Sequence, residues 1–459
     1  MLFRSVEFDV VILGGGSGGY ACALRASQLG LKVALIEKDK LGGTCLHRGC
    51  IPTKALLHAG EIADNTRDAG EFGVKAEFKG IDMSAVNTYK DGVISRLHKG
   101  LQGLVKSRAV TYVEGSGKIV AKDTVEVNGQ RYKGKNVVLA TGSYARTLPG
   151  LDIDGKQILT SDHALHLDYV PKSVIVLGGG VIGCEFASVW KSFGAEVTII
   201  EALPHLVALE DESSSKQLER AFRKRGINFE LGSKFTGAAK SASGVTVTLE
   251  NGKTFTADML LVAVGRGPTS ANLGYEAQGI KMDRGYVLVD NKCRTNIPGI
   301  FAVGDLIPTL QLAHVGFAEG ILVAEEIAGF NPRPINYDGV PRVTYSEPEV
   351  ASVGLTTAAA KAKGYEVAEL NYDLAGNGKA QILKTAGSVK LVAEKNGPVL
   401  GIHMVGSRVG ELLAEAQLIF NWQADADDVA PLIHAHPTLS EAMGEAHLAL
   451  AGKPLHAHG

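Results

Sequence analysis

Cys45 and Cys50 are separated by four residues inside the stretch 42–54, GGTCLHRGCIPTK. This spacing differs from that of a zinc knuckle, and no second Cys or His pair follows at metal-ligand spacing. The stretch therefore predicts a redox-active pair of thiols. We expect Thr44 to cap a helix, so that both sulfurs lie near a helix N-terminus, where the dipole, His47 and Arg48 favour a thiolate. The alternative is two buried thiols that never meet.

His436 and Glu441 lie five residues apart in the stretch 432–441, LIHAHPTLSE. If Pro437 starts a helix, the imidazole and the carboxylate could face each other, which is the arrangement of a general base with an orienting acid. Thr438 and Glu441 also fit a capping box, in which Glu441 only returns to the backbone of Thr438. The spacing leaves both alternatives open.

The first element that must position this chemistry is a strand followed by a glycine-rich turn. The apolar run 8–13 leads into Gly14, Gly16 and Gly19, in the pattern G-x-G-x-x-G, and then into a helical segment. Such glycines permit a tight turn, the close approach of a pyrophosphate and close packing of helix on strand. Glu37 ends the next strand, where it would accept the hydroxyls of a ribose.

The same pattern returns 164 residues later as Gly178, Gly180, Gly183 and Glu201. The chain therefore carries two complete dinucleotide-binding units, and we expect two different dinucleotides. A carboxylate at Glu201 would repel a ribose 2′-phosphate, so the second site should prefer NAD over NADP.

Other strands also end in turns that could line these sites. The runs 137–143 and 260–266 contain Gly142 and Gly265, and the run 110–115 ends in Gly115. The apolar run 300–305 ends at Asp305, whose alternative interpretation is a buried turn residue that caps the next segment. From residue 340 onward, short alternating strands and amphipathic helices predict a domain of a different kind.

Composition limits the partners. The chain has 459 residues, enough for three or four domains, and a formal net charge of -2. This balance predicts no nucleic-acid partner and no membrane association. Met1 to Phe8 is too short and too acidic for a targeting signal, so we expect a cytoplasmic protein. With only five cysteines, a disulfide is more readily catalytic than structural.

Together, the two glycine motifs, the Cys-x4-Cys pair and the C-terminal His-Pro-Thr with its Glu resemble the pyridine nucleotide-disulfide oxidoreductase family over nearly the whole chain. The resemblance implies an α/β protein with two Rossmann-like domains, a central region contacting FAD and an α+β C-terminal dimerisation domain. It places an FAD-binding domain at 1–148, an NAD-binding domain at 149–267, a central domain at 268–337 and a dimer interface domain at 338–459.

The resemblance also implies site residues and an activity. Cys50 would lie beside the flavin and Cys45 would exchange with the substrate, while His436 and Glu441 would reach in from the other subunit of a homodimer. Protein-bound dihydrolipoamide would be oxidised to lipoamide, with FAD and NAD as cofactors and with the lipoyl domains of 2-oxoacid dehydrogenase or glycine-cleavage complexes as partners. The implied FAD site comprises Gly14, Gly16, Gly19, Glu37, Thr44, Gly115, Gly142, Asp305, Ala313 and Lys54, the last paired with Glu185. The implied NAD site comprises Gly178, Gly180, Gly183, Glu201 and Gly265.

Other members of the family fit less well. Mercuric and high-molecular-weight thioredoxin reductases relay electrons to a second cysteine pair near the C-terminus, whereas the last cysteine here is Cys293. Glutathione-type reductases use NADPH, which Glu201 opposes. A non-catalytic flavoprotein that acts as a scaffold in a multienzyme complex is the alternative of another class, although a scaffold needs neither the cysteine pair nor His436.

Overall fold

The structure, a computed structural model, describes residues 6–456. Outside this range lie residues 457–459 and residues 1–5, which form most of the segment Met1 to Phe8 that was predicted not to be a targeting signal. The helices are α1 Ser17–Gln28, α2 Gly43–Arg48, α3 Cys50–Asp68, α4 Met83–Ser107, α5 Ser161–Ala164, α6 Val181–Phe193, α7 Glu212–Lys224, α8 Ala313–Ile327, α9 Thr357–Ala362, α10 Gly378–Leu383, α11 Val409–Asn421, α12 Ala426–Val429 and α13 Glu441–Leu450.

The strands alternate with these helices in the first half of the chain and cluster in the second. They are β1 Val6–Leu13, β2 Val33–Glu37, β3 Thr111–Glu114, β4 Gly117–Ala121, β5 Thr124–Val127, β6 Gln130–Leu139, β7 Ser143–Ala145, β8 Ile158–Thr160, β9 Ser173–Leu177, β10 Glu196–Ile200, β11 Ile227–Glu230, β12 Phe235–Ser241, β13 Gly244–Leu249, β14 Thr254–Ala257, β15 Met259–Val262, β16 Arg266–Pro268, β17 Met282–Asp283, β18 Tyr286–Val287, β19 Ile300–Ala302, β20 Arg342–Thr344, β21 Glu349–Gly354, β22 Val367–Asp373, β23 Ser388–Glu394 and β24 Val399–Gly406.

The described chain divides into two compact units. The first unit contains residues 6–55, 84–146 and 265–337, and the second contains residues 56–83, 147–264 and 338–456. The finer division into four domains stays a prediction.

The first unit is built on a seven-stranded sheet in the order β3-β2-β1-β6-β5-β4, with β19 beside the end of β6. Strands β3, β2, β1, β6 and β19 are parallel, and β5 and β4 extend the sheet as an antiparallel meander. The central strands are apolar on both faces, as a sheet covered on both sides requires, and their side chains are almost entirely buried. The strand order reverses between the parallel strands β1 and β6, which opens a crevice at their carboxyl ends.

The second unit contains a five-stranded parallel sheet in the order β11-β10-β9-β15-β8 and a five-stranded antiparallel sheet in the order β20-β21-β24-β23-β22. In the parallel sheet the order reverses between β9 and β15. Helices α11 and α13 pack on the antiparallel sheet around their own apolar core. The mixed α/β class, with two Rossmann-like sheets and an α+β C-terminal part, is therefore confirmed.

Candidate active site and dinucleotide sites

The glycines of the first motif lie in the crevice between β1 and β6. Gly14 follows β1 with φ +112°, and a Cβ there would be 2.1 Å from the carbonyl oxygen of Ala140, the residue after β6. A Cβ on Gly19 would be 1.8 Å from the carbonyl oxygen of Gly14. The fold itself thus requires glycine at both positions, for the turn and for the close approach of α1.

Gly16 has a different reason to be glycine. Its φ and ψ are -73° and -170°, a backbone conformation that other residues adopt readily. A Cβ there would come no closer than 4.0 Å to its nearest neighbour among the described residues, the Cα of Gly43. Packing within the chain does not require this glycine, so the open space at the N-terminus of α1 fits the pyrophosphate of a dinucleotide.

The second motif repeats this geometry in the second unit. Gly178 has φ +112° with its Cβ position 2.4 Å from the carbonyl oxygen of Ala263, and the Cβ position of Gly183 lies 1.9 Å from the carbonyl oxygen of Gly178. Around Gly180, with φ -76° and ψ -171°, no described atom lies within 4 Å of a Cβ. The residues of both motifs therefore fit two dinucleotides.

The two strand-end acids also occupy equivalent positions. Glu37 accepts the backbone N–H of Gly15 at 2.7 Å, and Glu201 accepts that of Gly179 at 2.6 Å. Each second carboxylate oxygen accepts an N–H two residues further along the chain. Both carboxylates are thereby fixed at the mouth of a glycine turn, where the ribose of a bound nucleotide would lie.

The remaining predicted nucleotide residues, Gly115, Gly142, Gly265 and Ala313, all fall in the first unit. Gly115 has φ +150°, and its N–H donates to the carbonyl oxygen of Glu37 at 2.9 Å. Gly142 has φ +69° and Gly265 has φ +99°, so both lie in the left-handed region. Ala313 is the first residue of α8. Gly265 belongs to the first unit rather than to the second unit with the other predicted NAD residues, and its role stays a prediction.

Asp305 lies in a short 3-10 turn, Gly304–Leu306, just after β19 rather than at the end of the strand itself. One of its carboxylate oxygens accepts the hydroxyl of Ser143 at 2.5 Å and lies 3.9 Å from the guanidinium of Arg266. Arg266 also donates to the Ser143 hydroxyl at 2.7 Å. Ser143 and Arg266 escaped the sequence analysis because 123 residues separate them, and the apolar runs before them gave no sign of the contact.

The cysteine pair lies at the starts of two consecutive helices. Cys45 is the third residue of α2, Cys50 is the first residue of α3, and their side chains are hydrogen-bonded to each other. The prediction that the two thiols meet near helix N-termini is supported by this geometry. The predicted cap is wrong, however, because Gly42 in the left-handed region precedes α2 and Thr44 lies inside the helix.

The electrostatics of the pair are asymmetric. The hydrogen bond with Cys50, together with burial, raises the pKa of the Cys45 thiol, while the nearby Lys54 ammonium acts in the opposite direction. His47 and Arg48, which were predicted to favour a thiolate, contact other groups. Arg48 pairs with Asp39 at 2.8 Å, and His47 bonds the carbonyl oxygen of Leu41 at 2.9 Å.

The other three cysteines have no such environment. Cys22, Cys184 and Cys293 are buried, and burial raises the pKa of each thiol. Inert structural cysteines have this character, which leaves Cys45 and Cys50 as the candidates for thiol chemistry.

His436 and Glu441 lie in the second unit and are in contact. Nδ1 of His436 is 2.7 Å from Oε1 of Glu441, and Oε2 of the same carboxylate accepts the N–H of Thr438 at 2.7 Å. Burial alone would raise the pKa of Glu441, but these two bonds outweigh it and lower that pKa. The two alternatives of the sequence analysis are thus both present in one carboxylate. Pro437 does not start the helix, because α13 begins at Glu441.

His436 is presented for chemistry. Its side chain is 77% exposed, and Glu441 engages Nδ1, which leaves Nε2 pointing away from this contact.

Glu185, predicted to pair with Lys54, accepts the N–H of Tyr345 at 3.0 Å inside the second unit, while Lys54 lies in the first. That predicted pairing stays a prediction.

Two crevices fitted to dinucleotides, a contacting pair of thiols and an exposed His–Glu pair define the class of protein: a disulfide oxidoreductase that uses two dinucleotide cofactors. Comparison with known proteins narrows this class. A family model described as pyridine nucleotide-disulphide oxidoreductase matches residues 8–320, and the dimerisation domain of the same family matches residues 340–447. The chain belongs to the pyridine nucleotide-disulphide oxidoreductase family, whose cofactors are FAD and NAD(H).

Individual relatives align over almost their full length. Dihydrolipoyl dehydrogenase from Bacillus subtilis is 41% identical, with 98% of this chain and 100% of the relative aligned. The mitochondrial dihydrolipoyl dehydrogenase of Pisum sativum is also 41% identical, over 98% of this chain and 93% of the relative. A crystal structure of LpdA from Mycobacterium tuberculosis superimposes with a TM-score of 0.90 at 27% identity, covering 96% of this chain and 99% of that one.

The described residues include no helix of the length and apolarity needed to cross a membrane.

Proposed function

We propose that this protein oxidises dihydrolipoamide, carried on a lipoyl domain, to lipoamide and passes the electrons to NAD+. The observation that carries the proposal is the pair of contacting thiols, Cys45 and Cys50, in a chain that aligns end to end with dihydrolipoyl dehydrogenases. A dithiol substrate requires a protein disulfide that can exchange with it, and this pair supplies one.

The chain's own residues carry the exchange. His436, oriented by Glu441, takes the proton of one substrate thiol, because only the thiolate attacks a disulfide. That thiolate attacks the sulfur of Cys45, the bond between Cys45 and Cys50 breaks, and Cys50 leaves as a thiolate. The second substrate thiolate then displaces Cys45 from the mixed disulfide. Lipoamide departs, and the protein retains both electrons as a dithiol.

The dinucleotide sites receive these electrons. When bound, FAD would accept two electrons from the dithiol and deliver them to NAD+ as a hydride, a transfer that thiols do not make directly. The proposed FAD site comprises Gly14, Gly16, Gly19, Glu37, Thr44, Lys54, Gly115, Gly142, Asp305 and Ala313. The proposed NAD site comprises Gly178, Gly180, Gly183, Glu201 and Gly265, with Glu201 selecting against the 2′-phosphate of NADP. Glu185 is proposed to pair with Lys54 beside the flavin.

The active protein is proposed to be a cytoplasmic homodimer in which His436 of one subunit serves the cysteine pair of the other. The matched dimerisation domain and the exposure of His436 support this arrangement. The partners would be the lipoyl domains of 2-oxoacid dehydrogenase complexes or of the glycine-cleavage system.

The test is to mix the holoenzyme with dihydrolipoamide and NAD+ and to follow the formation of NADH. We expect turnover with NAD+, slow turnover with NADP+, and loss of turnover in Cys45→Ser. A wild-type protein that retains FAD but forms no NADH would instead favour the scaffold alternative.

A further inference from the structure

A second His–Glu pair lies two residues before His436. Nε2 of His434 is 2.7 Å from Oε1 of Glu415 on α11. The side chain of His434 is only 12% exposed, whereas that of His436 is 77% exposed. Two histidines separated by one residue therefore face opposite ways, one into the second unit and one outward.

The ring of His434 is held on its other side by α13. A Cβ on Gly444 would lie 2.5 Å from Nδ1 of His434, so the imidazole occupies space that only glycine leaves open at that position. His434 is thus enclosed between Glu415 of α11 and Gly444 of α13. The titratable groups that face it are Glu415 from α11, and Glu441 and His447 from α13.

His447 extends this cluster inward. It is fully buried, its Nδ1 contacts the carbonyl oxygen of Met443 at 2.7 Å, and its Nε2 has no hydrogen-bond partner among residues 6–456. Burial lowers the pKa of His447 and keeps it neutral. His434 is thus the histidine of this cluster that contacts Glu415 directly, at 2.7 Å.

The chain just before His434 is exposed. Leu432 is 57% exposed and Ile433 is 98% exposed, so apolar packing does not hold this part of the segment, whereas Leu439 further along packs against the apolar core. His434 is the side chain that turns back between two helices, immediately before the segment that carries His436. Its hydrogen bond with Glu415 holds the segment at one end, and the hydrogen bonds of Thr438 with Glu441 and Asn377 hold it at the other.

We propose that His434, held by Glu415 and Gly444, is a positioning residue that fixes the backbone from which His436 reaches the substrate. This inference rests on the proposed function, in which His436 is the base. A displacement of about 1 Å at a reacting group can cost about 100-fold in rate, so loss of the hydrogen bond between His434 and Glu415 should act on catalysis without touching the reacting atoms.

The experiment compares two activities of the holoenzyme. Oxidation of dihydrolipoamide by NAD+ needs His436, whereas oxidation of NADH by ferricyanide does not involve the thiols or the base. In His434→Gln, Glu415→Gln and Gly444→Ala we expect the first kcat to fall about 10- to 100-fold and the second to stay unchanged. The double variant His434→Gln with Glu415→Gln should fall no further than either single variant. Glu445→Gln, which breaks the contact of a mostly buried carboxylate on α13 with His456, is the matched control and should leave both activities unchanged.

A second readout does not depend on dihydrolipoamide. Acylation of His436 by diethyl pyrocarbonate, followed by mass spectrometry across pH, reports the environment of its ring and should change in His434→Gln but not in Glu445→Gln. Unchanged dihydrolipoamide turnover in a folded His434→Gln, or an equal fall of both activities, would overturn the proposal. A wild-type enzyme without dihydrolipoamide turnover would contradict the proposed function alone, and the acylation experiment would still test His434.

Discussion

The two sulfurs of the proposed site are hydrogen-bonded to each other, and this bond together with burial raises the pKa of Cys45. The proposed mechanism treats the two sulfurs unequally, because Cys45 exchanges with the substrate and Cys50 leaves as the thiolate. The sequence could place both cysteines at helix starts but could not show that their side chains meet, since that contact exists only in the folded chain.

This asymmetry gives a spectroscopic prediction. In the FAD-loaded Cys45→Ser protein, a Cys50 thiolate beside the oxidised flavin should give a long-wavelength absorbance that grows with pH, without added reductant. Cys50→Ser should lack this absorbance at every pH. Both variants should lose dihydrolipoamide turnover by several orders of magnitude, as the loss of a nucleophile does. If Cys50→Ser kept the band and Cys45→Ser lacked it, the two roles would be reversed.

At the scale of elements, some glycines of each motif are required by the packing of the fold, and others leave space for a ligand. Gly19 and Gly183 allow a helix to pack against the turn before it, with no room for a methyl group. Gly16 and Gly180 face open space. One motif therefore contains glycines of two different kinds.

The difference between these two kinds of glycine predicts that replacement by alanine has different effects at Gly180 and at Gly183. Gly180→Ala should fold with a full complement of FAD and raise KM for NAD+ about 10-fold or more, the cost of losing roughly one good contact of about 1.4 kcal/mol. Gly183→Ala should instead lower stability by about 1–3 kcal/mol, because the added carbon overpacks the turn. Thermal unfolding and KM for NAD+, measured on both variants, distinguish the two kinds. Equal effects of the two substitutions would contradict the assignment.

A buried carboxylate on α8 connects this helix to the turn that carries Asp305. Glu319 is completely buried and accepts the N–H of Gly304 at 2.6 Å, the hydroxyl of Thr309 at 2.9 Å and that of Tyr337 at 2.9 Å. Burial raises its pKa to about 6, and the three donors oppose that shift. The sequence showed only a Glu in an apolar helix.

The raised pKa predicts a pH dependence. The folded pKa of about 6 lies above the ordinary value of 4.5, so the folded protein binds more protons between these values and loses stability as pH rises through this window. The loss amounts to about 2 kcal/mol at most. Glu319→Gln should be destabilised by about 1–3 kcal/mol near pH 5, because an amide cannot satisfy all three donors, and by less at pH 8.

Urea midpoints of wild type and variant at the two pH values check this prediction. The control is Glu325→Gln. Glu325 lies on the same helix as Glu319 and makes a partly exposed ion pair with Arg25 of α1, so its replacement should shift the midpoint little at either pH. A destabilisation of Glu319→Gln that grew with pH would show that the carboxylate is ionised and well stabilised instead.

At the scale of the whole molecule, the proposed site requires two copies of the chain. Cys45→Ser and His436→Ala homodimers should each be inactive, since each composite site lacks one component. After subunit exchange, each heterodimer contains one intact site, so random mixing should restore about one quarter of wild-type turnover in a symmetric dimer. Native mass spectrometry confirms the exchange, and heterodimers without turnover would place the base elsewhere.

The sequence by itself determined the elements whose signals are local. Apolar runs that end in glycine predicted β1 and β9, and the repeat at 164 residues predicted two nucleotide crevices, because turn chemistry and strand patterning involve neighbours along the chain. The cysteine pair and the two possible partners of Glu441, His436 and Thr438, were also predicted in this way. The predictions that failed locally, the Thr44 cap and the helix start at Pro437, concern element boundaries, which depend on backbone geometry that residue types constrain only weakly.

Only the tertiary structure decided contacts between residues distant in sequence. Ser143 and Arg266 at Asp305, Tyr337 at Glu319, and Glu415 at His434 join segments between 18 and 162 residues apart. Such pairs have no periodicity or motif, because the folding of sheets and the packing of helices bring them together. The raised pKa of Cys45 and the contact of His434 with Glu415 belong to this second kind of information, since burial and hydrogen bonds between distant residues exist only after the chain has folded.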